Sequence, residues 1–368
     1  MNWTRWRWAC LGWGVVAGTA HAQAWHQMDT PDRIRTGLEA NAPLVYKLKP
    51  SPQPRTLPPA PPSAFADKLT AEGKTFVRSA VSALVVDNGQ LVFELYNQGG
   101  APDALANAYS MTKSLTSLAV GEALCAGKIK SLDDTALTYV PALQDTPYGK
   151  ATLKQLLTYT SGAEDPGGNG YVGIHNIPNY VGMLTHKRSM VDLIKAHSGT
   201  SRFKPGEKFI YNGLDSQTLS LVVRAATGMP LPVWFENTVW KEAGAESPAA
   251  WFVDKDGNAN GEILFFATTR DFARLGQYVL DRLTDQAGSP CIQAYVKEAA
   301  KPLVSKGYWP SAPQWGYALH TGADGHTWMF GHNGQRVGVN VAKKRVFVTT
   351  SNRTGPETDA NGPGFLAR

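Results

Sequence analysis

The chain has 368 residues, of which 43% are hydrophobic and 18% are charged, and its formal net charge is +6. This length is enough to bury a large core in one two-lobed unit. The positive charge is mild, and no basic run with interleaved aromatic residues occurs, so the sequence gives no support for nucleic-acid binding.

The first 22 residues have the pattern of a cleavable signal peptide. Arg5 and Arg7 form a charged start, positions 11–20 form a short apolar run, and Ala20-His21-Ala22 is a small-x-small cleavage site. The run is too short to span a bilayer as a mature helix, and the alternative is a retained membrane anchor. We expect a periplasmic or secreted protein with no stable membrane anchor after signal cleavage.

Residues 23–63 are predicted to form an extended arm outside the folded unit. Eight prolines lie between positions 43 and 62, and such a segment has no core of its own. The folded unit should begin near Ala64. A hairpin follows, because two strand-like runs at 81–86 and 90–96 flank the turn sequence Asp87-Asn88-Gly89.

An amphipathic helix is predicted next, and it carries a serine and a lysine one turn apart. Apolar residues recur at Met111, Leu115 and Leu118 with helical spacing, which puts Ser110 and Lys113 on the same face. A hydroxyl is a poor nucleophile until a neighbour takes its proton, and a desolvated neutral lysine amine can do so. The alternative is a capping serine followed by a solvated surface lysine.

The middle of the chain, residues 127–248, is rich in helix signals. They include the capping box Thr152-x-x-Gln155 and apolar runs at 189–197 and 216–226. A second Ser-x-x-Lys pattern runs from Ser201 to Lys204, but Pro-Gly follows at once. A loop is therefore predicted there, and no helix would fix this lysine over its serine.

The end of the chain returns to strand-like runs, at 315–320, 328–332, 335–341 and 345–351. A hairpin at the start and strands at the end suggest one antiparallel sheet built from both ends of the chain. The helical middle is then an insertion.

Two cysteines remain after signal cleavage, Cys125 and Cys291. Export makes one disulfide possible. Two buried thiols are the favoured interpretation, since Cys125 is on a helix face that looks buried.

Three motifs in this order resemble those of the penicillin-recognising serine hydrolases. They are Ser110-x-x-Lys113, Tyr211-Asn212-Gly213 before a helical run, and Gly331-His332-Asn333-Gly334-Gln335 between two strands. Over about residues 80–350 the chain looks most like the class C β-lactamase-related esterases and 6-aminohexanoate-dimer hydrolases.

The resemblance implies an α/β fold of the β-lactamase type, an antiparallel sheet flanked by helices with an inserted all-helical lobe. Residues 64–126 and 249–368 would form the discontinuous α/β lobe, and 127–248 the helical lobe. The site would lie in the cleft between the lobes.

The resemblance also implies roles for individual residues. Ser110 would be the nucleophile, and Lys113 and Tyr211 would share the proton transfers as a coupled pair in which sequence assigns the base to neither. The backbone N–H groups of Ser110 and Gln335 would form the oxyanion hole. The candidate substrate-binding residues are His332, Asn333, Gly334, Asn212 and Tyr171.

The chain departs from the family pattern at several places. Gly213 stands where Asn or Ser is common, so no side chain there can hold Lys113. His332 replaces a lysine found in many β-lactamases, and a neutral imidazole offers less charge for a β-lactam carboxylate. Gly261-Glu262-Ile263-Leu264 replaces a glycine-rich stretch, and the long C-terminal helix looks absent after Asn352.

The sequence therefore predicts an exported serine hydrolase that cleaves a small ester or linear amide without a metal or organic cofactor. His320, His326 and His332 are six residues apart, which matches no common zinc spacing. One alternative is a non-catalytic peptidoglycan- or ligand-binding module with the same fold, favoured by Gly213 and the altered tail. Another is a true β-lactamase or D-peptidase.

Overall fold

The structure is a computed structural model that describes residues 28–76, 80–163, 188–196, 201, 203–307, 313–322 and 324–352. The helices are α1 Pro31–Ala40, α2 Ala64–Phe76, α3 Met111–Cys125, α4 Pro147–Lys150, α5 Leu153–Leu157, α6 Met190–Ala196, α7 Gly213–Thr227, α8 Leu231–Phe235, α9 Lys241–Ala243, α10 Thr269–Leu283 and α11 Pro290–Ala299. The strands are β1 Val45–Leu48, β2 Ala80–Asp87, β3 Gln90–Tyr96, β4 Leu105–Asn107, β5 Ala249–Phe252, β6 Phe265–Thr268, β7 Val304–Ser305, β8 Gln314–Trp315, β9 His320–Thr321, β10 Thr327–Gly331, β11 Gln335–Asn340 and β12 Arg345–Ser351.

The larger sheet joins the two ends of the chain. Its strand order is β3-β2-β12-β11-β10-β9-β8-β7, and all neighbouring strands are antiparallel. The β2–β3 turn has Asn88 and Gly89 at φ 49° and 78°, the left-handed pair that a tight hairpin favours. The prediction of one antiparallel sheet built from both ends of the chain is confirmed.

A second, four-stranded sheet was not predicted, and it corrects the prediction of an arm over residues 23–63. Its order is β1-β5-β6-β4, and β1 pairs with β5 from Val45 opposite Phe252 to Leu48 opposite Ala249. Ile34, Leu44 and Leu48 are buried in the core. The folded unit therefore begins well before Ala64, because a few apolar side chains and one pairing strand anchor this proline-rich stretch.

The described elements between α3 and β5 are all helical, as expected for an inserted helical region. The predicted capping box is present at α5, where Thr152 and Gln155 satisfy each other's backbone N–H groups. In the part of the chain that the structure describes, no helix combines the length and apolarity needed to cross a membrane.

Helix α3 is buried on almost every side, which differs from the amphipathic helix predicted from sequence. It packs against α7 and α11. Its polar side chains are satisfied by carbonyl groups of other segments: Ser114 donates to Ala318 O (2.6 Å) and Thr116 to Gly261 O (2.9 Å). Hydroxyls that find such partners can be buried without a large penalty. The polar side of α3 is therefore inside the protein and not in solvent.

A disulfide joins Cys125 at the end of α3 to Cys291 in α11, with a Cα–Cα separation of 5.6 Å. The favoured interpretation of two free thiols is therefore wrong. The pairing depends on how α3 and α11 pack, and that packing brings together residues separated by 166 positions.

We expect the disulfide to stabilise the fold. A double Cys125→Ser/Cys291→Ser variant should lose about 2–4 kcal/mol of unfolding free energy, the usual contribution of a native disulfide. Denaturant unfolding with and without reductant measures this, and the double variant, which reductant should leave unchanged, is the control. A wild-type unfolding midpoint that does not move on reduction would contradict the pairing.

Candidate active site

Ser110 lies at the entrance to α3, after a constrained loop. Tyr109 has φ 45°, an unusual backbone conformation for a large side chain, and its N–H donates to Asn107 Oδ1 (2.9 Å). Ser110 is half-buried, and its side chain makes no capping hydrogen bond to the helix. The alternative of a capping serine is therefore wrong.

Lys113 points back toward Ser110, with 3.0 Å between Nζ and Oγ. Only 1% of its surface is exposed, so the alternative of a solvated lysine is also wrong. Burial lowers the pKa of Lys113 to about 8, against an opposing effect of the nearby Glu262 carboxylate. A lysine in this state has far more neutral amine near neutral pH than an ordinary lysine, and its neutral fraction rises as pH approaches 8, as a proton acceptor requires.

Tyr211 completes the group. Its hydroxyl is hydrogen-bonded with Ser110, and the Lys113 ammonium nitrogen is 5.2 Å from the ring centroid. Burial raises the pKa of Tyr211, and the Glu262 charge raises it further, whereas the bond with Ser110 lowers it. Tyr211 is therefore a protonated phenol near neutral pH, and Lys113 is the member of the pair that titrates there.

An aromatic cluster that sequence reasoning did not single out holds the Tyr211 ring. Trp315 and Tyr159 lie 5.8 and 5.6 Å from it between ring centroids. Trp315 Nε1 donates to Leu157 O (3.1 Å) and the Tyr159 hydroxyl bonds with Ser216 Oγ (2.6 Å). These partners fix both rings, and the rings fix Tyr211.

The loop after β10 lies beside the loop that carries Ser110. A Cβ on Gly331 would come within 2.3 Å of Ala108 O, so only glycine allows this approach. His332 is exposed, with its ring 5.7 Å from that of Tyr109. This loop therefore borders the serine, as the candidate substrate-binding role of His332, Asn333 and Gly334 requires.

Gln335, the predicted second oxyanion donor, begins β11 and is buried. Its side chain accepts from the Ser351 N–H (3.2 Å) and donates to Ser351 O. These bonds hold the Gln335 backbone at the end of the strand next to Gly331. Its backbone N–H, however, donates to His332 O, so this donor is engaged within the loop and the oxyanion role of Gln335 stays a prediction.

The structure does not support a substrate-binding role for two of the predicted residues, Asn212 and Tyr171. Asn212 is fully buried and caps α7: its Oδ1 accepts from Leu214 N–H (3.0 Å) and its Nδ2 donates to the Tyr148 hydroxyl (2.9 Å). Its amide is used inside the protein, so the prediction that it binds substrate is wrong. Tyr171 lies outside the described residues.

Sequence reasoning missed Glu262. Its carboxylate is fully buried and 3.4 Å from Lys113 Nζ. The available signal was an acidic residue in the stretch expected to be glycine-rich, but nothing in the sequence links it to Lys113.

A second lysine lies behind the aromatic cluster. Lys306 Nζ is 2.9 Å from His320 Nδ1, and the His320 ring packs 4.6 Å from Trp315. Burial lowers the pKa of Lys306 to about 7. Burial and the charges of Lys306 and Lys113 hold the pKa of His320 well below its usual range, so His320 is neutral. Across the described ranges no group of three or more His, Cys, Asp or Glu side chains could hold a metal ion.

The chain is similar to known proteins over most of its length. A family model described as Beta-lactamase matches residues 65–367. A 6-aminohexanoate-dimer hydrolase of Paenarthrobacter ureafaciens is 23% identical over 370 aligned residues, which cover 94% of this chain and 91% of that protein.

Two solved structures show the same fold. One is from a Bacillus anthracis protein provisionally described as a 6-aminohexanoate-dimer hydrolase, with a TM-score of 0.73, 23% identity, and 88% and 89% of the two chains covered. The other is EstCE1, a hydrolase with promiscuous acyltransferase activity, with a TM-score of 0.62, 14% identity, and 82% and 96% covered.

The state of Lys113 predicts how the reactivity of Ser110 depends on pH. Only the neutral amine can take the serine proton, so acylation should accelerate as pH rises through about 8, where Lys113 loses its proton. The rate of fluorophosphonate modification, followed from about pH 6 to about pH 10, measures this. Lys113→Ala should react slowly and lack the step. A wild-type rate that is flat across this range would contradict the assignment.

Proposed function

This chain belongs to the Beta-lactamase family, and we propose that it is an exported serine hydrolase that cleaves a small ester or linear amide through an acyl-enzyme on Ser110. The observation that carries the proposal is the buried Lys113 amine 3.0 Å from the Ser110 hydroxyl. The family and its relatives are serine hydrolases. Beyond the family, we propose the nucleophile, the proton acceptor and the substrate class.

In the proposed reaction, Ser110 Oγ forms a bond to the substrate carbonyl carbon while its proton moves to the Lys113 amine. The backbone N–H of Ser110 stabilises the oxyanion, and the Gln335 N–H joins it once it is released from His332 O. The intermediate then expels the alcohol or amine, which takes a proton from the Tyr211 hydroxyl, and Lys113 returns a proton to Tyr211. Water attacks the acyl carbon by the same route, releasing the acid and restoring Ser110.

The substrate class is inferred from the border of the site and from a relative. His332 is exposed beside the serine, and a histidine provides less positive charge near neutral pH than a lysine for a β-lactam carboxylate. The Paenarthrobacter relative is named for the dimer of 6-aminohexanoate, which is a linear amide. Both observations favour a simple ester or linear amide over a β-lactam.

The rival interpretation, a non-catalytic binding module, loses its main support. It was favoured by Gly213, which leaves no side chain to hold Lys113. In the structure the Glu262 carboxylate contacts that lysine instead. Burial of a lysine next to a serine is costly for a protein that uses neither in chemistry.

Export is supported by two independent features. Residues 1–22 have the signal-peptide pattern, and the Cys125–Cys291 disulfide is of a kind that persists in oxidising compartments.

Covalent labelling tests the nucleophile. A fluorophosphonate probe should label the wild-type protein, and Ser110→Ala should abolish labelling and p-nitrophenyl ester hydrolysis together. Ser201→Ala is the matched control, because it alters the second Ser-x-x-Lys pattern, whose Lys204 is exposed and outside any helix. Hydrolysis that survives in Ser110→Ala would overturn the assignment.

A substrate comparison tests the class. The value of kcat/KM for p-nitrophenyl butyrate should exceed that for a chromogenic cephalosporin at the same pH, because the site lacks a lysine at position 332. A cephalosporin value larger by about tenfold, or about 1.4 kcal/mol of transition-state preference, would favour a β-lactamase instead.

A further inference from the structure

The space beside Gly213 is filled by another residue's side chain. A Cβ on residue 213 would lie 2.0 Å from Glu262 Cδ and 2.2 and 2.3 Å from the two carboxylate oxygens. Atoms cannot approach this closely, so the Glu262 carboxylate can occupy its position only because residue 213 has no side chain. The two residues are complementary: Gly213 leaves the space, and the Glu262 carboxylate fills it.

Glu262 makes two contacts with Lys113. Its Oε1 is 3.4 Å from Nζ, and its backbone carbonyl accepts from Nζ at 3.2 Å. A neutral amine has two N–H groups and one lone pair. In the structure Nζ also donates to Ser110 Oγ at 3.0 Å, as an ammonium does. After deprotonation, two N–H groups kept on Glu262 would leave the lone pair facing Ser110, which is the orientation that a proton acceptor needs.

The segment that carries Glu262 is firmly held. Asn260 Oδ1 accepts from the backbone N–H groups of Glu262 (3.1 Å) and Ile263 (2.9 Å) and from Gln217 Nε2 (2.8 Å). Thr116 of α3 donates to Gly261 O (2.9 Å). Glu262 is therefore fixed to the same helix as the lysine it contacts, and its position is not a matter of chance side-chain packing.

We propose that Glu262 is a positioning residue that, from the space left by Gly213, holds the Lys113 amine against Ser110. The negative charge of its carboxylate also favours the ammonium form of Lys113. This inference rests on the proposed function of Ser110 and Lys113. It assigns a role to a residue outside the three motifs of the site.

Among the described residues, Glu262 is the charged group that acts most strongly on Lys113. Tyr211 and Tyr159 have raised pKa values and stay phenols, and His320 is neutral. Lys306, beyond His320, has a pKa lowered to about 7. Burial raises the pKa of Asp215, which acts on Tyr159, well above its usual range.

The first test replaces the charge and keeps the shape. In Glu262→Gln, the acid limb of the pH profile of p-nitrophenyl butyrate hydrolysis should move to lower pH by about one unit or more, the usual effect of removing an opposite charge at this range. Glu122→Gln is the matched control. Glu122 lies near the other end of α3, is half-buried, and accepts a hydrogen bond from the hydroxyl of Tyr278 in α10. Its profile should not move.

The second test exploits the shared volume and does not depend on how well Glu262→Gln folds. Gly213→Asn should be nearly inactive, because its side chain collides with the carboxylate. Glu262→Ala should lose about 100-fold in kcat, the scale of a misplaced acid–base group. The double variant Gly213→Asn/Glu262→Ala should recover at least about tenfold over either single variant, since coupled sites are not additive.

An acid limb in Glu262→Gln that coincides with wild type would overturn the role of the charge, and a double variant no better than its parents would overturn the shared volume. Neither result touches the proposed function, which stands or falls on labelling of wild-type Ser110. If the probe did not label Ser110 in the wild-type protein, the proposed function would be refuted, and the contacts of Glu262 with Lys113 would have no explanation.

Discussion

The site depends on one constraint, the burial of a lysine in a helix that the protein surrounds on almost every side. A charged amine removed from water costs several kcal/mol unless it is paired or neutral. Lys113 is 1% exposed, and its pKa of about 8 is the balance between burial, which favours the neutral amine, and Glu262, which favours the ammonium. The interactions that make the lysine tolerable in the core therefore also set its strength as a proton acceptor. Stability and reactivity are controlled here by the same contacts.

Helix α3 keeps this balance because several segments fix its position. Its first turn follows the Asn107–Tyr109 bend, and its last residue is joined to α11 by the disulfide. Between these ends, Thr116 and Ser114 donate to Gly261 O and Ala318 O. Gly261 O is next to Glu262 in the chain, and Ala318 O lies three residues after Trp315. Hydroxyls on the helix therefore set the register of the nucleophile, the lysine partner and the aromatic wall relative to one another.

The overall fold could be predicted because its signals are local or ordered along the chain. The Asn88-Gly89 hairpin, the terminal strands and the three motifs needed no knowledge of distant contacts, and helical spacing brought Lys113 to Ser110. Most of the failures involve partners distant in sequence. The pairing of β1 with β5 and the disulfide depend on segments that meet only in the folded chain. The buried polar face of α3 looked solvated because its carbonyl partners lie about 145 to 204 residues away.

The exchange between Gly213 and Glu262 shows why a motif should be compared by volume and charge as well as by residue type. Compared with the family motif at this position alone, Gly213 suggests that Lys113 has no hydrogen-bond acceptor and that the protein is inactive. In three dimensions the acceptor is supplied by Glu262, from 49 positions further along the chain. The replacement is not neutral, however, because an amide at position 213 would carry no charge, whereas the carboxylate stabilises the ammonium form of Lys113. Deep burial is then needed to keep part of the amine unprotonated, and the 1% exposure of Lys113 provides it.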